Sequence, residues 1–299
     1  MPAATAWPIL SPDVESILAA EPDPIAAVAR GEVAALVVRQ AFPADDCARL
    51  VRRFVDDGLL YDSDDPRIDQ KAIPSALVNR HSQKGLNPQE SKRRRIDIGS
   101  SLGYLGDDKE NFLAHSAGTH VLFERLFADH PDPVRTIYDH LRKLSPGKNV
   151  VTAYEPDGRK YGPAIFRAHY GGYTYGPHFD SVRNREQRTQ YAVNRFERQL
   201  AGVLCLQNAT LEGTSAQGIL HRQFWRLELD EHLLSMTFSK YAEANGVENV
   251  RIELEAGDLY FFNVGMIHEV PGVPGNLPRI VLATFIGWSE ADPEVMVWS

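Results

Sequence analysis

The hydrophobic pattern of the chain changes character near residue 149. Before that point most apolar positions repeat at helical spacing, which predicts helices over residues 14–20, 108–128 and 132–143, and one that begins at an aspartate cap before Cys47 and runs to about residue 57. The β-branched run that begins at Val33 is an exception and predicts a strand. Pro43 and the two aspartates that follow it are typical of a helix start, with an Asp as the cap. Residues 1–30 otherwise form a loose lead-in, and the polar residues 62–92 are expected to be irregular.

After residue 149, short apolar runs alternate with turn residues such as Asp157-Gly158. The runs predict strands over residues 150–154, 164–170, 200–207, 224–229, 250–254, 259–263 and 280–286. Helices followed by many short strands are typical of a β-sandwich or barrel with helices packed outside it. We expect one compact domain with three parts: a lead-in over 1–32, a scaffold of helices and a strand over 33–148, and a β core over 149–299. Inserts in this core are expected at 181–199 and 211–248.

Composition narrows the classes of function. The chain has 299 residues and a net charge of −8, and its 43% hydrophobic and 24% charged residues are ordinary for a globular protein. The acidic balance argues against a nucleic-acid partner, which needs a basic face. The basic run at 92–95 is expected to be a solvated edge or to pair with nearby carboxylates. Cys47 and Cys205 stand far apart, which excludes a disulfide framework and a cysteine zinc site and suits a reducing compartment.

No membrane partner is expected, because no window approaches the length of apolar sequence that a membrane span needs. The first ten residues do not have the pattern of a signal peptide. We therefore expect a cytoplasmic protein with a small-molecule substrate, and a homodimer is left open.

The chemistry is concentrated in the short segment that contains His178 and Asp180. In an extended segment, residues two apart point to the same face, so an imidazole and a carboxylate can meet at one metal ion. The best third ligand is His268, which stands at the far end of an apolar run that a Gly-Asp turn begins. Two histidines and one carboxylate form the facial triad of non-haem Fe(II) oxygenases.

Arg279 follows His268 by eleven residues and leads into the last long apolar run. Its guanidinium can bind a carboxylate bidentately. Two neutral histidines and one carboxylate leave an Fe(II) site with one positive charge, and Arg279 adds another. A dianionic co-substrate that chelates the metal at one end and meets Arg279 at the other would neutralise both charges.

Each of these residues also has a structural interpretation. His178 and Asp180 can belong to a turn with a capping aspartate, and His268 can be a strand-end histidine bonded to a backbone carbonyl. Arg279 can form a salt bridge with Glu269. Because the four residues occur together in plausible strand contexts, the metal interpretation is favoured.

This four-part pattern resembles the Fe(II)/2-oxoglutarate-dependent dioxygenases. The segment 169–180, HYGGYTYGPHFD, is similar to the segment that leads into the metal ligands of prolyl-hydroxylase-like members. The main resemblance covers residues 165–290, and a fainter one covers 33–57. It implies a mainly β fold with flanking helices around a double-stranded β-helix (jelly-roll, cupin-like) core. It also implies Fe(II), 2-oxoglutarate and O2 as cofactors, with His178, Asp180 and His268 as metal ligands and Arg279 on the co-substrate.

The resemblance further implies a hydroxylase that releases succinate and CO2. Related halogenases have a small residue in place of the carboxylate ligand, and Asp180 fills that position here, which favours hydroxylation. Val281 stands two residues after Arg279, where several subgroups have a hydroxyl residue as second partner of the 2-oxoglutarate carboxylate. Tyr170 and Thr284 are the substitutes that we expect.

The substrate is expected to be an amino acid or a natural-product intermediate, and a carboxylate or phosphate on it would suit the local excess of arginines in 181–200. The candidate substrate residues are Arg183, Arg188, Tyr175 and Phe166, and for the arginines a solvated surface is the alternative. Desaturation, cyclisation or epimerisation at the same site remains an alternative reaction. A non-catalytic β-barrel binding protein remains the alternative of another class.

Overall fold

The computed structural model describes residues 6–62, 65, 95–275 and 277–299. The strands are β1 (Ile9–Leu10), β2 (Ala35–Val38), β3 (Arg95–Ile98), β4 (Asn149–Thr152), β5 (Ile165–His169), β6 (Tyr175–His178), β7 (Arg198–Gln207), β8 (Thr210–Leu211), β9 (Thr214–Ser215), β10 (Gly218–Phe224), β11 (Asn249–Ile252), β12 (Leu259–Asn263), β13 (Met266–Val270), β14 (Arg279–Trp288) and β15 (Glu294–Trp298). The α-helices are α1 (Val14–Ala20), α2 (Pro24–Arg30), α3 (Ala44–Asp56), α4 (Leu102–Leu105), α5 (Lys109–Phe127), α6 (Pro133–Leu144), α7 (Asp230–Leu234) and α8 (Phe238–Ala244). Two short 3₁₀ helices cover Ala192–Arg195 and Leu227–Leu229.

The described strands form two main sheets. The larger sheet has the order β1-β2-β12-β7-β14-β15-β4, with β5 paired to β14 and β3 paired to β5. The smaller sheet has the order β11-β10-β13-β6. Apolar side chains of β7 and β12 pack against those of β10, β11 and β13, so the inner faces of the two sheets meet. This arrangement confirms the predicted mainly β fold with a jelly-roll core.

The helices cover the outer face of the larger sheet, where the largest apolar cluster joins α1, α2, α3 and α6 to strands β5, β7 and β14. Helix α3 illustrates why the sequence folds in this way. Its apolar residues Cys47, Leu50 and Phe54 repeat at helical spacing and are buried, while Arg49 and Arg52 between them are exposed. The cap of α3 differs from the expectation, since Pro43 is the N-cap and Asp45 and Asp46 stand in the first turn, where their charges face the positive end of the helix dipole.

Three local predictions were wrong. The lead-in contains a second helix, α2, which has Pro24 at its first position and a left-handed glycine, Gly31, at its end. Residues 224–229 are not a strand, because the strand β10 ends at Phe224 and a 3₁₀ turn follows. The segment 211–248, expected to be an insert, contains β10, which pairs with β13 in the smaller sheet. A fully apolar run is not required for an inner strand when its polar residues face outward.

The boundaries of the three predicted parts stay a prediction. Strands β1, β2 and β3 lie in the same sheet as the later strands, so the amino-terminal part contributes directly to the β core. Most of the segment 62–92, which was expected to be irregular, and the first three residues of the basic run lie outside the described residues. Arg95, the last of that run, is buried in an ion pair with Asp97. No helix among the described residues has both the length and the apolar character to cross a membrane.

Candidate active site

A tight turn and a strand pairing bring the three predicted metal ligands together. Gly171 and Gly172 both have positive φ, at 55° and 74°, which reverses the chain between β5 and β6. His178 ends β6 and is the register partner of His268 on β13. Asp180 follows β6, and its backbone N–H donates to the carbonyl of Val264, just before β13. The sheet register therefore places residues that are ninety positions apart in sequence side by side.

The ligand atoms of His178, Asp180 and His268 all lie within 4.8 Å of one another. Oδ2 of Asp180 is 3.7 Å from Nε2 of His178 and 3.7 Å from Nε2 of His268. One cation between these three atoms can contact each of them.

The protonation of both histidines suits metal binding. Nδ1 of His178 is 2.7 Å from the carbonyl oxygen of Gly176, and Nδ1 of His268 is 3.0 Å from that of Met266. Because a carbonyl oxygen only accepts, Nδ1 carries the proton in each ring and Nε2 keeps its lone pair. The carbonyl bond that the structural interpretation expected for His268 is thus present, and it orients the ring toward Asp180.

The pKa shifts of His178 and Asp180 also favour a protonation state that suits metal binding. Burial, together with the neighbouring His268, lowers the pKa of His178 to about 4, so its imidazole is neutral at pH 7. Burial alone would raise the pKa of Asp180, but the neighbouring His268, His178 and Arg185 hold this pKa well below its ordinary value. Two neutral imidazoles and one carboxylate are the donor set that ferrous iron takes in the facial triad, so the residues present fit Fe(II).

Arg185 holds the outer oxygen of Asp180. Its Nη1 donates to Oδ1 of Asp180 at 3.1 Å and to the carbonyl oxygen of Phe179 at 2.6 Å. Oδ1 is thereby occupied, while Oδ2 faces the two histidines. Sequence reasoning grouped Arg185 with four other arginines and did not single it out, because its contact with Asp180 depends on the fold of the segment after β6.

We expect the Arg185→Gln variant to bind Fe(II) about 10- to 100-fold more weakly, because groups that orient metal ligands typically contribute this much. Fe(II) affinity under anaerobic conditions is the measurement, and Arg195→Gln is a control on a surface arginine of the same segment. An unchanged affinity in Arg185→Gln would mean that Asp180 needs no partner.

The triad lies in a cavity between the two sheets that encloses about 710 Å³, its mouth included. Arg279 lines the same cavity and is 7% exposed. The predicted alternative, a salt bridge to Glu269, does not form, because Glu269 accepts a hydrogen bond from His221 at 3.0 Å. Arg279 has no carboxylate partner among the described residues, and its positive charge acts on the nearby hydroxyl of Tyr260, whose pKa burial raises. A buried guanidinium in this situation requires an anionic ligand.

The structure does not bring the two substitutes for the second carboxylate partner to Arg279. Tyr170 is fully buried in the outer apolar cluster, where its ring stacks on Tyr61 at 4.2 Å. Thr284 lies at the edge of the cavity, but its hydroxyl donates to the backbone carbonyl of Gly202 at 3.3 Å.

Of the four candidate substrate residues, the structure places one in the cavity and three elsewhere. Tyr175 lines the cavity, with its ring centroid 4.8 Å from that of His178. Arg183 is exposed and does not line the cavity, and Arg188 is committed to Glu186, Asp107 and the carbonyl of Gly103. Phe166 points to the opposite side of β5, into the outer core.

The placement of Phe166 gives a stability prediction. Its ring lies 4.7 Å from Phe54 and 5.4 Å from Phe123, and the side chain is 1% exposed. We expect Phe166→Ala to lower the free energy of unfolding by about 3–5 kcal/mol, because it leaves a cavity in the core. Urea denaturation measures this loss, and Val121→Ala, at an exposed position of α5, is the control. A loss of catalytic rate without a loss of stability would instead assign Phe166 to the pocket.

Sequence reasoning also missed Arg167 and His169, which line the cavity. Neither residue was among the candidate site residues that the sequence indicated. Their spacing of two in a predicted strand was the available signal, since it places both on one face of β5.

The comparisons with known proteins agree with this geometry. A family model described as the carrier-protein-independent halogenase WelO5 matches residues 9–299. A solved N-substituted L-amino acid dioxygenase from Burkholderia ambifaria AMMD is 15% identical, with a TM-score of 0.52 over 92% of this chain and 90% of that chain. A structure of such a dioxygenase from the same organism, in complex with α-ketoglutarate, is 14% identical, with a TM-score of 0.50 and the same coverage.

More distant is SnoN, a non-haem α-ketoglutarate-dependent epimerase from nogalamycin biosynthesis. It is 12% identical, with a TM-score of 0.43 over 93% of this chain and 87% of that chain. Among curated proteins, no sequence matches the chain. At identities of 15% and below, the likeness to solved structures shows the fold alone.

Proposed function

This chain belongs to the family of the carrier-protein-independent halogenase WelO5, within the Fe(II)/2-oxoglutarate-dependent oxygenases, and we propose that it acts as a hydroxylase of a small molecule. Its cofactors are those of the superfamily: Fe(II), 2-oxoglutarate and O2. The proposed metal ligands are His178, Asp180 and His268. The observation that carries the proposal is the carboxylate of Asp180, directed at the two imidazoles from 3.7 Å.

Asp180 also bears on the choice between hydroxylation and halogenation. A halogenase of this superfamily needs room beside the metal for a halide ion, and a small residue in place of the carboxylate supplies it. Here Asp180 occupies that position, and Arg185 holds its outer oxygen at 3.1 Å. With the position filled by a carboxylate, transfer of a hydroxyl group is the favoured outcome.

Each residue of the site has a part in the reaction. When bound, Fe(II) and 2-oxoglutarate convert O2 into an oxidant for a C–H bond, with release of succinate and CO2. His178, Asp180 and His268 hold the metal, and Arg279 binds the distal carboxylate of 2-oxoglutarate. Apolar side chains such as Val203, Leu220 and Phe262 line the cavity and exclude water from it.

We propose a small organic substrate, an amino acid or a natural-product intermediate, that reaches the metal through the cavity mouth. Tyr175 lies beside His178, and we propose that it contacts the substrate. A carboxylate or phosphate on the substrate is proposed to pair with Arg183, and this assignment rests on the positive charge of the segment 181–200 alone. Arg188 and Phe166 are left out of the proposed contacts because their side chains are committed elsewhere.

The test is succinate release from 2-oxoglutarate in the presence of Fe(II), O2 and a panel of amino acids and pathway intermediates. Chloride is present throughout, and products are analysed by mass spectrometry. Gain of one oxygen atom supports hydroxylation, and gain of chlorine in place of hydrogen contradicts it. Loss of two hydrogens, or inversion without a change of mass, would favour desaturation, cyclisation or epimerisation.

The binding-protein alternative has a separate test. Anaerobic addition of Fe(II) and 2-oxoglutarate is expected to give a weak visible charge-transfer band, which a non-catalytic barrel would not show. Absence of this band in the wild-type protein would refute the oxygenase proposal.

A further inference from the structure

Arg167 and His169 lie in the active-site cavity without a role in the proposed function. They alternate on β5 with Phe166 and Ala168, which pack into the outer core. Successive side chains of a strand point to opposite faces, so Arg167 and His169 both point inward. They therefore share the cavity with the metal triad and Arg279.

Arg167 has no hydrogen-bond or ion-pair partner among the described residues, and its Nε is buried. The carboxylate opposite it in the sheet is Asp97 on β3. However, both oxygens of Asp97 are taken by Arg95, with Nε to Oδ1 at 2.7 Å and Nη2 to the other oxygen. The described residues thus supply Arg167 with no anion. Because a partly buried charge without a counter-ion is costly, the guanidinium of Arg167 is available to an anionic ligand in the cavity.

The sheet register places Arg167 close to Arg279. His169 is the direct partner of Arg279, and Val281, two residues further along β14, is the partner of Arg167. Arg167 and Arg279 are therefore diagonal neighbours on one face of an antiparallel pair, a separation that long side chains span. Both guanidinium groups can reach the same carboxylate.

His169 is a neighbour of both arginines, since it pairs with Arg279 across the two strands and is two residues from Arg167 on β5. Its side chain is 8% exposed, and its Nε2 is buried with no hydrogen-bond partner among the described residues. Burial, with the positive charges of Arg279, Arg95 and Arg167, keeps its pKa well below the ordinary value. The ring is therefore neutral and adds no third positive charge. Its stacking on Tyr173, at 5.1 Å between centroids, holds it in place.

We propose that Arg167 and Arg279 together bind the distal carboxylate of 2-oxoglutarate, with the ring of His169 packed beside it. The proposal rests on the proposed oxygenase function and assigns the second partner of this carboxylate, in place of Tyr170 and Thr284. Two guanidinium groups match the two oxygens of one carboxylate. The cavity then selects a keto acid with a second acidic group.

The test compares two ligands in anaerobic, Fe(II)-loaded protein by the visible charge-transfer band. One ligand is 2-oxoglutarate, and the other is 2-oxopentanoate, which has the same keto acid and chain length but lacks the distal carboxylate. We expect Arg167→Gln to bind 2-oxoglutarate about 30-fold more weakly or worse, since a buried charge pair loses a partner. Its affinity for 2-oxopentanoate should equal that of the wild type.

Arg251→Gln, at an exposed position of β11, is the matched control and should leave both affinities unchanged. Arg167→Lys keeps the charge without the paired donors, so it should bind 2-oxoglutarate with intermediate affinity; it also serves if Arg167→Gln does not fold. In the double variant with Arg279→Gln, the two losses should not add, because both residues bind one group.

Unchanged 2-oxoglutarate affinity in the Arg167 variants would overturn the proposal, and so would an equal loss for both ligands. Either result would leave the oxygenase assignment intact, provided that the wild-type protein gives the band. Absence of the band in the wild type would refute the proposed function itself.

Discussion

Replacement of Asp180 by asparagine is expected to lower succinate formation by more than about 100-fold, since even groups that only orient metal ligands contribute 10- to 100-fold. The substitution keeps the size of the side chain but removes the negative charge that faces both imidazoles at 3.7 Å. It also leaves Arg185 opposite a neutral amide. Fe(II) affinity under anaerobic conditions and the rate of succinate release are the two measurements, and both should fall.

The chain offers a matched control in Asp292. This side chain is 20% exposed, compared with 22% for Asp180, and it pairs with an arginine, Arg195, at 2.8 Å. It does not line the cavity. Asp292→Asn should therefore keep Fe(II) affinity and activity. If the two variants behave alike, the carboxylate of Asp180 is a structural ion-pair partner and the proposed metal site is wrong.

The second large effect is expected at Arg279. Arg279→Gln should raise the KM for 2-oxoglutarate by about 100-fold or more, because loss of one partner from a buried charge pair typically costs 2–5 kcal/mol or more. Fe(II) affinity should stay at the wild-type value, since Arg279 lies on β14 and the metal ligands lie on and beside β6 and β13. Initial rates of succinate release at varied 2-oxoglutarate concentrations measure the effect.

Arg279→Lys separates charge from geometry. A lysine keeps the positive charge but donates from a single point, so we expect partial recovery of the KM. A variant in which Fe(II) affinity falls while the KM for 2-oxoglutarate stays constant would contradict the role of Arg279. Such a result would indicate that the guanidinium supports the sheet rather than the co-substrate.

The features that sequence reasoning predicted well depend on local spacing. Helices α1, α3, α5 and α6 follow from apolar residues at helical intervals, and β12 was predicted with its observed ends. His178 and Asp180 were placed on one side of an extended segment by the alternation of a strand. The motif that pairs them with His268 and Arg279 resembles a known family, so it could be recognised before the strands were paired.

For the residues that sequence reasoning missed or misassigned, the deciding factor is the side of the strand to which each side chain points. Phe166 and Arg167 are neighbours in β5, and a shift of one position exchanges the core side for the cavity side. Apolar residues occur on both faces of this strand, because Phe166 packs into the outer core and Ile165 lines the cavity. The spacing of Arg167 and His169 indicates that they share a face, but only the sheet register shows that this face enters the site.

By itself, the amino-acid sequence determined the class of fold, the family and the residue types able to hold a ferrous ion, because each of these is expressed in short-range pattern. Only the tertiary structure decided which arginines remain without a counter-ion. Arg188 and Arg95 are neutralised by Glu186 and Asp97, whereas Arg167 and Arg279 face the cavity without a carboxylate partner among the described residues. The physical reason is that charge pairing depends on distance in space, and strand pairing sets that distance between segments far apart in the chain.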